Sequence, residues 1–164
     1  MVLLSGLPGT GKTVLAGRIS ASLGAVHLES DAVRIELTPD PQFTRSENAR
    51  VFSRLELRAT RHLTAGKQVV LDATNLTEAD RSRFLSLAER LDVVVVPVRV
   101  SVPDDIVRER LSHPREGFSQ AGVDVFERMH SHPEPFSRPG VVVDTRFDLA
   151  PAIDLVKTLL HDST

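Results

Sequence analysis

An α/β fold, with a parallel sheet covered on both faces by helices, is predicted by three observations. Short runs rich in Val and Leu alternate with stretches of helical period; most of those runs are almost continuously apolar; and the first passes directly into a glycine-rich turn that opens a helix. The runs are Val2 to Leu4, Ala25 to Leu28, Gln68 to Leu71, Val93 to Val100 and Val141 to Val143. Strands buried on both faces read this way because neither face needs polar residues. The first helix carries Val14, Leu15, Ile19 and Leu23 at helical spacing and stops at Gly24, where a left-handed residue is wanted. A second runs from Arg45 to Ala65, with Phe52, Leu55, Ala59 and Leu63 as its apolar stripe and Gly66 as its end. Thr77-Glu-Ala-Asp80 has the form of a capping box opening a helix to Leu91. Asp104 to Leu111, Asp124 to Met129 and Leu149 to Leu160 complete the helices, and Pro133 to Pro139 is a proline-stiffened connection.

Length and composition predict one domain over residues 1–164, since 164 residues with 41% hydrophobic and 26% charged side chains suffice for one core. The longest apolar stretch, Val93 to Val98, is far below the roughly 20 residues of a bilayer span, so no membrane association is expected. There is no cysteine, which excludes disulfides, thiolate catalysis and Cys-based zinc sites. With a first strand starting at Val2 and no leader-like segment before it, a cytoplasmic location is expected. A formal net charge of −2 argues against general duplex affinity, so any nucleic acid would need a local basic patch.

Gly6-Leu-Pro-Gly-Thr-Gly-Lys-Thr13 fits G-x-x-x-x-G-K-[ST] completely and stands between a strand and a helix, where the motif works as a phosphate-binding loop. The predicted nucleotide contacts are Gly6, Leu7, Pro8, Gly9, Thr10, Gly11, Lys12, Thr13 and Val14. Glycines let the backbone turn its N–H groups onto the α- and β-phosphates, and the helix N-terminus adds its dipole. Lys12 reaches the β- and γ-phosphates, and the Thr13 hydroxyl is a ligand for Mg²⁺. Asp72 closes Val69-Val-Leu-Asp72, an apolar run plus acid of the kind that holds the same Mg²⁺. Ala73 and Thr74 follow, where a hydrolytic ATPase would carry a water-activating Glu. The chemistry predicted is therefore phosphoryl transfer from ATP or GTP, with Mg²⁺, to an acceptor other than water.

Asp31 and Arg34 lie just past the second strand, at the carboxyl edge where open α/β sheets bind ligands. Two readings stand: a base for the attacking hydroxyl with an arginine one turn later to hold phosphate or acceptor, or a first-turn acid with a solvated partner. Arg115, in His113-Pro-Arg-Glu-Gly117, is the candidate for a lid arginine meeting developing γ-phosphate charge, against a plain loop arginine. Arg108 and Arg110 read as partners of Asp104, Asp105 or Glu109 on their own helix. Arg50, Arg54, Arg58 and Arg61 form one basic stripe, either a track for a phosphate backbone or the wet face of an amphipathic helix. His130 and His132 are two apart and point to different sides of a helix, so they are not a metal pair.

These residues resemble the 5′-hydroxyl polynucleotide kinases typified by the kinase domain of the bacteriophage end-healing enzyme, and related kinases of the AAA-domain type. The resemblance covers GLPGTGKT, the D-x-x-R pair Asp31 and Arg34, the segment Asp72 to Arg81 with its D-x-T-N, Arg115, and Val123 to Met129. It implies a five-stranded parallel sheet in the order 2-3-1-4-5 and a small helical lid, about residues 112–132. It further implies Asp31 as general base, Arg34 on the acceptor phosphate, Arg115 on the transferring phosphoryl group, and Thr74, Asn75 and Arg81 at or behind the acceptor pocket. Against that family the chain is expected to depart in a short lid altered by Pro114 and in the absence of an appended phosphatase or ligase domain. Three functions are expected, in this order: a kinase acting on the 5′-OH of DNA or RNA; a kinase acting on a sugar, nucleoside, antibiotic or metabolite; and a nucleotide-dependent switch with little catalysis.

Overall fold

The computed structural model describes the chain except for residues 39, 114–117, 119–120, 131–132 and 163–164. The strands are β1 (Val2–Ser5), β2 (Val26–Glu29), β3 (Val69–Asp72), β4 (Val96–Val100) and β5 (Val141–Val143). The helices are α1 (Lys12–Leu23), α2 (Ser30–Leu37), α3 (Arg45–Thr64), α4 (Glu78–Arg90), α5 (Asp104–Ser112), α6 (Val123–His130) and α7 (Ala150–His161). The strands form one sheet in the order β2-β3-β1-β4-β5, and every adjacent pair is parallel. The α/β fold and strand order expected from the sequence are those of the molecule.

Period-two alternation divides the strands between two cores. Val2, Leu4 and Val70 pack with Leu15 and Ile19 of α1 and Val156 of α7 on one face. Leu3 and Leu71 pack with Leu55 and Ala59 of α3 and Phe84 of α4 on the other. Phe84 is fully buried and its ring lies 5.9 Å from that of Phe52. Phe84→Ala is expected to cost about 3–5 kcal/mol, measurable by urea unfolding, because the helices around it relax only partly into the cavity.

The helix ends follow their side chains. Gly24 takes φ 62° and its N–H bonds the Ser20 carbonyl. At α4, Thr77 and Asp80 exchange both capping bonds. The expected strand from Val93 begins instead at Val96. β1 supplies no ladder partner before Val2, whose register partner is Val96, and the Met1 ammonium group and carbonyl engage Val94 and Val96. Val107 and Leu111 of α5 and Phe126 of α6 form a third, small cluster beyond the carboxyl edge of the sheet.

Candidate active site

β1 ends on Ser5, β2 on Glu29 and β3 on Asp72, so parallel pairing gathers all three at one edge. Beyond Ser5 the glycine loop turns back toward α1. The Gly6 N–H donates to the Thr74 carbonyl at 2.9 Å, which fastens the loop to the end of β3. Gly11 caps α1 in a left-handed conformation, φ 93°, and a Cβ there would stand 2.8 Å from Thr145 Oγ1. Both the backbone and the space demand glycine. Lys12 opens α1 and its Nζ donates to the Leu7 carbonyl at 2.9 Å, so the ammonium group spans the loop's concavity. Thr145, from the segment after β5, donates to the Thr10 carbonyl at 2.6 Å and accepts from Arg110 Nη1 at 2.8 Å.

Pairing of Glu29 with Asp72, and of His27 with Val70, puts His27, Glu29 and Asp72 on the same face of the sheet. Asp72 is almost fully buried, and its Oδ2 lies 3.2 Å from His27 Nε2. Burial opposes a charged His27, but the hydrogen bond and negative charge of Asp72, with Glu29 beside it, outweigh burial and raise its pKa. Burial first, then the charges of Asp72 and Asp31, push Glu29 up to about 7 despite His27 and Lys12 nearby.

Asp31 lies in the first turn of α2 and makes no cap; the cap position belongs to Glu29, which offers no side-chain bond either. Arg34 is not solvated. It is 6% exposed, its Nη1 donates to Glu47 Oε1 at 2.6 Å, and its guanidinium lies 4.7 Å from the centre of the Phe43 ring. Its Nε stands 4.0 Å from Asp31 Oδ1. Glu47 also accepts from the Gln42 N–H; burial alone would raise its pKa, yet Arg34 and that N–H hold it below the usual carboxylate value.

Two arginines depart from their expected partners. Arg108 crosses to Glu127 of α6 at 2.7 Å, because the two helices pack side by side. Arg110 turns over the loop toward Thr145 and, at 3.5 Å, the Gly9 carbonyl. Arg115 lies outside the described residues, as does much of the expected lid. Thr74 lines the cleft, whereas Asn75 and Arg81 stand behind it. Asn75 donates to the Leu4 carbonyl, and Arg81 donates to the carbonyls of Asn75, Leu76 and Pro135 while stacking on Phe136. Together they tie the end of β3 to the segment that follows α6. Of the basic stripe on α3, Arg58 pairs with Glu36 and Arg50 donates to Thr38. His130 pairs with Asp104 across α5 and α6 at 2.7 Å.

One cleft of about 690 Å³ joins these parts. Gly11, Lys12, Thr13, Arg110, Thr145 and Phe147 line it, as do Glu29, Asp31, Phe43, Phe52, Val125 and Met129. Reading along the chain misses Arg110, Thr145, Phe147 and Glu29 as cleft groups, and His27 as the partner of Asp72 beside them. The available signal was polar residues closing or following apolar strands, at the edge where ligands bind.

Among solved structures, the chain is similar to the Mycobacterium tuberculosis APS kinase CysC in complex with AMPPNP and APS, at 20% identity, with 98% of this chain and 96% of that one covered and a TM-score of 0.77. It is similar to Chaetomium thermophilum Kti12 in complex with ADP-AlF3, at 19% identity, 97% and 98% coverage and a TM-score of 0.76. It is also similar to a gluconokinase from Sinorhizobium meliloti 1021, at 19% identity, 99% and 90% coverage and a TM-score of 0.67. At these identities the likeness is one of fold. No curated protein matches the chain significantly. Residues 1–136 match the AAA domain family, a span that includes the loop, β1 to β4, Asp31 and Asp72. The chain belongs to the AAA domain family.

Proposed function

We propose that the chain is an ATP-dependent kinase transferring the γ-phosphate to an acceptor hydroxyl. The observation that carries this reading is a cleft lined both by phosphate-loop residues, Pro8, Gly9, Gly11, Lys12 and Thr13, and by Asp31. Nucleotides in the similar folds, AMPPNP in the APS kinase and ADP-AlF3 in Kti12, support a nucleotide on the loop. Thr13 and Asp72 line the cleft with a hydroxyl and a carboxylate, hard oxygen donors that suit Mg²⁺. Bound there, the ion would offset phosphate charge. Lys12 and the loop N–H groups orient the phosphates, Asp31 takes the hydroxyl proton, and Arg115 meets the charge on the transferring group.

The acceptor placed first is the 5′-hydroxyl of DNA or RNA, supported by Asp31 and Arg34 together with the Asp72-Ala-Thr-Asn75 segment and by Arg54 and Arg61 on the exposed face of α3. A small-molecule acceptor is the second reading. It is favoured by Phe43, Phe52, Val125 and Met129 in the cleft lining, and by Arg34 being already engaged with Glu47. Transfer of labelled γ-phosphate from ATP with Mg²⁺ to a short 5′-OH oligonucleotide, beside a no-acceptor control, tests the first. Labelling that depends on Asp31 supports it; nucleotide binding without labelling moves the acceptor to a metabolite. Arg110→Ala is expected to raise KM for ATP about tenfold in the same assay, equivalent to roughly 1.4 kcal/mol, because Arg110 lies over the phosphate loop in the cleft.

A further inference from the structure

His27, Glu29 and Asp72 are more than the kinase chemistry requires. Their ligand atoms all lie within 4.8 Å of one another. Two ligands about 2.1 Å from one ion stand roughly 3–4 Å apart, so the hydrogen-bonded 3.2 Å between His27 Nε2 and Asp72 Oδ2 also fits neighbouring ligands once an ion takes the place of the shared proton. Register fixes the arrangement: His27 and Glu29 are two apart on β2, on one face, and Glu29 pairs with Asp72. A carboxylate merely buttressed by a histidine would need no third group. Here a second half-buried carboxylate, Glu29, is added within 4.8 Å of both. Lys12 lies near enough to offset only part of the charge.

We propose that His27, Glu29 and Asp72 bind a divalent transition-metal ion of the Mn²⁺, Co²⁺ or Zn²⁺ class, without nucleotide. One imidazole and two carboxylates suit these ions, whereas Mg²⁺ prefers oxygen ligands and keeps its waters. The site is separate from the Thr13 hydroxyl and shares only Asp72 with the nucleotide's Mg²⁺.

The test is titration of the nucleotide-free full-length chain with Co²⁺ in the presence of excess Mg²⁺, followed by visible absorption and by thermal unfolding. One equivalent is expected to bind and to raise Tm. His27→Gln and Glu29→Gln should each weaken binding at least about tenfold, and Thr13→Ala should leave Co²⁺ affinity unchanged. Pulsed electron resonance of Mn²⁺ on the unaltered protein needs no variant and should show an imidazole nitrogen on the ion. Displacement of Co²⁺ by Mg²⁺, equal binding by His27→Gln, or a bound ion with oxygen ligands alone would each overturn the proposal. Because no nucleotide or acceptor is present, these results do not depend on the kinase reading.

Discussion

Asp31→Asn is expected to lower phosphoryl transfer by about 10²–10⁴-fold, the usual contribution of a positioned general base. The substitution keeps the size and position of the side chain in the first turn of α2, so the fold and the loop are unchanged. What disappears is the ability to accept the acceptor's proton. Nucleotide affinity should therefore stay within about twofold, since in the proposed mechanism the loop, not α2, would hold the phosphates. Lys12→Ala is expected to give the contrasting pattern, weakening nucleotide binding and transfer together, because in the proposed mechanism its ammonium group would face the phosphates in both ground and transition states. Calorimetric nucleotide binding combined with single-turnover transfer separates the two. Near-normal turnover in Asp31→Asn would remove the base assignment and turn attention to Glu29, the nearby carboxylate that also lines the cleft.

A large effect on stability is expected from Glu47→Ala. Arg34 and Glu47 are 6% and 4% exposed, and they meet at 2.6 Å. Deleting one member of a buried pair leaves the other charged and desolvated, which typically costs about 3–5 kcal/mol. Denaturant unfolding at neutral pH measures it. Acid acts on the same pair with a definite sign. The folded pKa of Glu47 is held below the ordinary carboxylate value, so its contribution is fully present above that ordinary value and is lost as pH falls through the lower, folded one. The stability difference between wild type and Glu47→Ala should therefore narrow on acidification below the normal carboxylate range. A gap that stays constant into strong acid would mean that Glu47 acts by packing instead. Arg34 also borders Asp31, at 4.0 Å, so the same variant is expected to disturb the cleft wall beside Asp31.

Much of the molecule was legible along the chain because the relevant interactions are local or periodic. The glycine loop, the caps at Gly24 and Thr77, and the apolar stripe of α3 each depend on residues within a few positions of one another. Near-continuous Val and Leu runs specified strands buried on two faces. The phosphate loop was readable for the same reason, since its donors are consecutive residues.

Partnership over distance was decided by the tertiary structure. Arg34 read as either a ligand-binding or a solvated arginine until α3 brought Glu47 beside it, thirteen residues away. Arg110 had acids within its own helix, but docking of α5 on the loop gave it Thr145, thirty-five residues on. His27 and Asp72 stand forty-five residues apart and meet only through the register of β2 with β3. Sequence determined the fold class, the loop and the places where polar residues end strands, because these follow from spacing. Which charges are buried, which pair and which converge on one cleft depended on strand register and helix docking, where burial strengthens an ion pair and makes an unpaired charge costly.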